Sequence, residues 1–308
     1  MYRTFVIIRH TFLEAVVQPI YPLLLVLGAV ILFVFAALPF FTLGEDTIMF
    51  KAVGLDVILL LVLILTLFAT SRSIYEEIED RTMLTLMSKP VRKWEVLVGK
   101  YLGICVAALV AVAVLGAILC LCTWWRLPGD YMLRTRSIDE HELKLVLDMR
   151  LMNLAGLVPS LVLVWLQICV LAAIGVALST RFSLVVNLPV VILLYIAGNL
   201  TRFMFPIIWN GNDANTPLAG RSMVIKGGAY LISLLLPYLE MFDLRQKTVY
   251  STIKLAGTMY SADPHAVSYG QIWAYTGVAT LYAICYAAFA LALGMWLFQG
   301  RELGGAEG

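Results

Sequence analysis

The chain has 308 residues, 61% of them hydrophobic and only 14% charged, with a net charge of +2. Soluble domains carry about a quarter charged residues, so one water-soluble core is excluded and a membrane is the natural solvent. The basic residues are scattered, which excludes a concentrated nucleic-acid face.

Tyr2 to Gln18 reads as an amphipathic helix lying in the membrane interface. Tyr2, Phe5, Val6, Phe12, Leu13, Val16 and Val17 share one side, Arg3, His10, Glu14 and Gln18 the other, with Arg9 an exception on the apolar face. Pro19 and Pro22 separate it from a charge-free first span, residues 20–43, too long for the apolar core of a secretory signal. The second span covers 53–70, with Asp56 near its end, where the carboxylate reaches the interface.

Residues 74–100 form the longest charge-dense stretch between two spans. Glu76, Glu77, Glu79, Asp80, Arg81, Lys89, Arg92, Lys93, Glu95 and Lys100 fall there. Met83, Leu84, Leu86 and Met87 make a short apolar ridge, and Trp94, Leu97 and Val98 begin a second. Pro90 lacks an N–H and clashes with the preceding turn. The pattern predicts a short helix, a break, and a new helix entering the third span.

The third span is 101–124, closed by an interfacial anchor of Trp124, Trp125 and Arg126. Residues 127–150 are polar; His141 among Asp139, Glu140 and Glu142 reads as a solvated helix face rather than a metal site, since no ligand set of fixed spacing accompanies it. Spans four (152–178) and five (184–200, containing Pro189) form a tight hairpin through Ser179 to Ser183. Gln167, Asn187 and Asn199 are its main polar residues. Amides between apolar helices join helices together, and a translocation path is the alternative reading. Residues 201–270 form the longest non-spanning region, on the outer side. Within it Gly227 to Leu239 is too short to cross and suits a re-entrant or interfacial helix. Glu240 to Leu255 follows as a helical pattern with Met241, Phe242, Leu244, Val249 and Ile253 on its buried side. The sixth span is 272–298.

Glu79, Thr82, Leu86, Ser88, Lys89, Pro90, Val91, Arg92, Gly99, Lys100 and Gly103 stand in the order of a known pattern: an acidic residue, T-L-x-x-L-x-S-x-P-V, a basic residue, then G-K-x-x-G. This stretch resembles the cytoplasmic coupling segment of ABC-2 type transporter permeases. Arg81-Thr82-Met83 departs from the Gly-Thr-Leu of many members. The closest flavour is the branch with the permease for maturation of nitrous oxide reductase. The resemblance implies an all-α polytopic membrane protein: six transmembrane helices, an N-terminal interfacial helix, a coupling helix between spans two and three, and a re-entrant segment before span six. It also implies two partners, a cytoplasmic ABC ATPase subunit and a second permease copy or close relative. The setting it implies is the inner membrane of a bacterial cell, with both termini cytoplasmic. The short-loop cations Arg72, Arg81, Lys89, Arg92, Lys93 and Arg181 favour the same orientation. The expected ATPase interface comprises Glu76, Glu79, Arg81, Met83, Leu84, Leu86, Met87, Lys89, Pro90, Arg92, Lys93 and Trp94.

No G-x-x-x-x-G-K-[ST] loop occurs, so no cofactor is expected in this chain, and ATP with Mg would belong to the partner ATPase. None of the five cysteines forms a C-x-x-C pair, and the three histidines lie outside the spans, so no metal or catalytic site is expected. Two further readings stay open. An ion-coupled transporter would need a buried ionisable group, for which only Asp56 comes near. A non-transporting scaffold would use residues 74–100 to recruit a soluble partner.

Overall fold

The computed structural model describes residues 2–38, 46–79, 92–132, 140–199, 236–255, 258 and 265–299. Most of them are helical. α1 (Tyr2–Val17) leads into α2 (Ile20–Ala37). α3 (Asp46–Thr70) continues through π-helical Ser71–Glu76 to Glu79. α4 (Lys93–Met132), α5 (Glu140–Ser179), α6 (Leu184–Asn199) and α7 (Tyr269–Gln299) follow. Stretches of α2, α3, α4, α5 and α7 are long and apolar enough to cross a membrane. The apolar α6 has 16 residues, about 24 Å, short of a bilayer core of about 30 Å. The chain is thus an all-α polytopic membrane protein.

α3 and α5 form the centre, packed on each other and on α4, and α7 lies along α5. α2 is peripheral: Leu24, Gly28 and Leu32 face inward, while Leu23, Val26, Val30 and Phe33 are exposed as a lipid-facing surface. Its end has two causes. Leu38 is extended, as the residue before a proline prefers, and Pro39 follows in the sequence. The helix therefore stops at Ala37, short of the Leu43 end read from hydropathy. Arg126 of α4 then donates to the carbonyls of Phe35 (2.9 Å), Ala36 (3.1 Å) and Leu38 (3.1 Å). A cation there satisfies orphan carbonyls and suits the negative end of the helix.

The helices outrun the charge-free spans at both ends. α3 starts at Asp46, not 53, and buries Thr47 and Lys51. Its far end passes into the charge-dense stretch without a break. α4 starts at Lys93, so Lys93 to Lys100 belong to the third span. The backbone N–H of Arg92 donates to the Glu95 carboxylate at 3.2 Å, half of a capping box, which fixes this start.

α1 differs from an interfacial helix with an open polar face. Phe5, Val6, Leu13 and Val17 are exposed, but Thr11, Ala15 and Gln18 are buried and Glu14 is half-buried against the protein. Ile7, Ile8 and Thr11 dock on α4, Phe12 and Val16 pack partly against the core, and Phe5, Val6, Leu13 and Val17 are left to lipid.

Residues 239–255 are not one helix. They form a 3-10 turn (Leu239–Phe242), a helical turn (Arg245–Thr248) and a two-residue strand, Ile253–Lys254, parallel to Val267–Ser268. Phe242, Leu244, Val249 and Ile253 are buried and Met241 partly so. The apolar positions mark burial, but over so few residues their spacing does not fix the backbone. Most of the re-entrant helix read at 227–239 lies outside the described residues, and 236–238 are not helical.

Candidate functional site

The site is the root of the charge-dense stretch, where the chain leaves α3 and re-enters α4. Thr66 and Thr70 donate to the carbonyls of Leu63 and Leu67, at 2.7 and 2.8 Å. Such back-bonding loosens the regular ladder. Directly after Thr70 come six residues of π-helix, a geometry frequent at functional sites. Ser71, Ser73 and Ile74 turn inward, while Arg72 and Glu76 face out as a 3.9 Å i,i+4 pair.

Lys100 crosses to this π segment. It is 3% exposed, and its ammonium donates to both the Ser73 carbonyl and the Glu77 carboxylate. The lysine stands seven residues into α4, about 10 Å from its start. A charge there is tolerated only when paired and hydrogen-bonded. One side chain therefore ties the two ends of the stretch together.

Gly99 and Gly103 flank that lysine and seat α1. A Cβ at Gly99 would lie 2.8 Å from Cγ2 of Ile7; one at Gly103 would lie 2.7 Å from Cβ of Thr11 and 2.8 Å from the Ile8 carbonyl oxygen. Four-residue spacing of small residues lets helix backbones approach closely. The G-K-x-x-G element is thus a helix seat with a buried cation in its middle. α1 brings Glu14 to the same place, with its Oε2 buried and without a hydrogen-bond partner among the described residues. Burial raises the Glu14 pKa; Lys100, His10 and Arg72 oppose this, and Glu77 adds to it.

The expected interface residues divide. Glu76, Glu79 and Arg92 are exposed at the root, and Lys93 is partly buried with its ammonium 5.3 Å from the Phe298 ring centre. Trp94 is half-exposed and lines an apolar groove beside α7. Arg81, Met83, Leu84, Leu86, Met87, Lys89 and Pro90 lie outside the described residues.

The three amides do not form one row. Asn187 is buried near the root, its amide donating to the Gly175 carbonyl (3.2 Å) and the Ser179 hydroxyl (2.8 Å). Gln167 and Asn199 instead line a polar pocket of about 90 Å³ nearer the start of α3, with Ser160, Tyr195, Asp56 and Arg245. That volume is well below the roughly 300–1,000 Å³ of ligand sites. Asp56 does not simply reach water: Arg245 grips its carboxylate bidentately, one bond at 2.8 Å. Lys51, which falls between the first two spans as bounded by hydropathy, is buried on Asn153 and the Val249 carbonyl. Thr248 meets Ser160 at 2.7 Å. The segment before α7 is thus pinned on α3 and α5 by polar bonds.

Sequence reasoning missed Glu14, the Ser73 carbonyl and Arg245. The 99–103 glycine spacing could have indicated the α1 seat; nothing local could have paired residues 189 positions apart.

A family model described as ABC-2 family transporter protein matches residues 30–303. The description covers the family and no branch within it. No curated protein matches the chain significantly.

Proposed function

Because the chain belongs to the ABC-2 transporter family, a family of membrane transport components, we propose that it is the permease half of an exporter driven by a separate cytoplasmic ATPase. The observation that carries this reading is the Lys100 tie between the end of α3 and the start of α4. A partner pressing on residues 80–91 would move both helices as one body, because the ends of that stretch are fastened to each other and not only to the bilayer. In this reading Met83, Leu84, Leu86 and Met87 give the partner its apolar anchor, and Glu76, Glu79, Arg81, Lys89 and Arg92 set orientation at the rim. Trp94 is assigned to the groove beside α7 instead. Two permease chains would assemble with two ATPase subunits, and the substrate would pass between the permeases, in the inner membrane with both termini cytoplasmic. ATP and Mg would bind the partner.

The test is a mild-detergent purification of the tagged chain from its native membrane. A P-loop ATPase should come with it at about one copy per permease, and Leu84→Glu should lower that yield more than tenfold without lowering membrane insertion. Reproducible isolation of the chain alone, or undiminished ATPase with Leu84→Glu, would overturn the reading.

A further inference from the structure

A groove of about 630 Å³ runs between α4, α5 and α7. Trp94 and Met295 stand at one end, Cys105 and Trp165 towards the other. Trp94 to Cys105 is eleven residues of helix, so the groove is about 16 Å long. A bilayer core is about 30 Å thick, which makes this the depth of one leaflet, entered from the coupling side.

The walls are almost entirely apolar, and three of their polar groups are already bonded. Tyr101 donates to the Cys169 carbonyl at 3.2 Å, Trp165 to the Cys105 carbonyl at 3.1 Å, and Thr280 to the Thr276 carbonyl at 2.8 Å. Ala283, Ala287 and Ala288 keep the α7 side open. The mouth is cationic. Lys93 sits 5.3 Å from the Phe298 ring centre, and Arg181 donates to the Leu297 carbonyl at 3.2 and 3.1 Å. Leu297 and Phe298 follow Met295 within one turn, so both cations are held about one turn beyond the Met295 end of the groove.

We propose that this groove holds one acyl chain of an anionic phospholipid, with the phosphate at Lys93 and Arg181. The lipid would lie against Trp94 and Lys93, the first turn of α4, and so against the root of the coupling stretch. Occupancy would brace α4 on α7 and make the lever sensitive to the lipid composition of its own leaflet. This inference does not rest on the ATPase partner.

Trp94 and Trp165 supply the readout, since brominated acyl chains quench tryptophan on contact. The full chain is reconstituted in phosphatidylcholine vesicles containing brominated phosphatidylglycerol or brominated phosphatidylcholine. Subtracting the signal of the Trp94→Phe/Trp165→Phe protein isolates the groove. The expected result is preferential quenching by the anionic lipid, about fivefold for each cation, abolished by Lys93→Gln with Arg181→Gln. Ala288→Phe, placed on the open side, should more than halve quenching by both lipids. Equal quenching by the two lipids, unchanged by the charge substitutions, would overturn the proposal. So would absent quenching together with efficient bismaleimide bridging of two chains through the exposed Cys285, which would make the groove an interface between copies.

Discussion

Two ion pairs hold the membrane domain at its opposite ends, and they are built differently. At the root, Lys100 is buried and Glu77 about one quarter exposed, with the Ser73 carbonyl as a third partner. At the other end, Arg245 grips an Asp56 carboxylate whose side chain is 54% exposed. Removing one partner of a buried pair strands a charge and costs about 3–5 kcal/mol. The outer pair, with Arg245 23% exposed and bidentate on a half-exposed carboxylate, contributes less, about 1 kcal/mol. The root is therefore a fastening and the outer pair a latch. If the chain is driven from the root, as proposed, that asymmetry is what the drive requires: the driven end would carry force without yielding, and the far end would open at low cost.

The sharpest way to break this contrast is Lys100→Ala. It should destabilise the protein by about 3 kcal/mol, lowering the unfolding midpoint in a fixed detergent by about 6 °C. Lys100→Met with Glu77→Gln should recover most of that loss, because no charge is then stranded. Equal midpoints for the parent and Lys100→Ala would reduce the root to an ordinary surface pair.

Gly103→Ala comes next. Its Cβ would meet Thr11 and the Ile8 backbone below 3 Å, and backbone cannot move aside easily. The expected cost is about 2 kcal/mol from overpacking, read as a lower midpoint and faster proteolysis within α1.

Glu14 gives a pH test of the same seat. Its pKa is raised chiefly by burial, so the folded protein favours the protonated acid. That contribution is fully present below the usual carboxylate range and is lost as pH rises through the raised value. Glu14→Gln should therefore match the parent in acid and exceed its stability at neutral pH. A midpoint difference that does not vary with pH would place Glu14 outside the buried cluster.

The smallest stability effect belongs to Asp56→Asn, about 0.5 kcal/mol, or a midpoint shift of about 1 °C. Its other effect should be larger: a cysteine placed at Tyr195, in the adjoining pocket, should react with maleimide several-fold faster once the latch is loosened. Unchanged labelling would mean that the pair does not close the pocket.

These four residues also show what can be read in a sequence. The membrane class and the helix order follow from charge-free runs, because lipid admits few charges. Helix ends do not, because a helix continues past the apolar run wherever its charges find partners. Trp94, Leu97 and Val98 announce a new helix entering the third span, and α4 does begin there, but its first residue, Lys93, is set by the Glu95 cap, which hydropathy does not show. Lys51 and Asp56 read as groups near water, since their partners Asn153, Val249 and Arg245 are 102, 198 and 189 residues away. Lys100 is visible as a motif position. Its burial depends on a π segment, which no hydrophobic pattern encodes.

The arginine that finishes α2 has a consequence for biosynthesis. Arg126 lies 91 residues beyond Phe35, the first carbonyl it serves. At roughly 5–20 residues per second, the ribosome would add it about 5–18 seconds after it adds Phe35. Until then those carbonyls depend on interfacial water, and the newly inserted helix is free to slide along the bilayer normal. Arrival of the third span sets the depth of the first, so the order of synthesis becomes the order in which the membrane domain is locked.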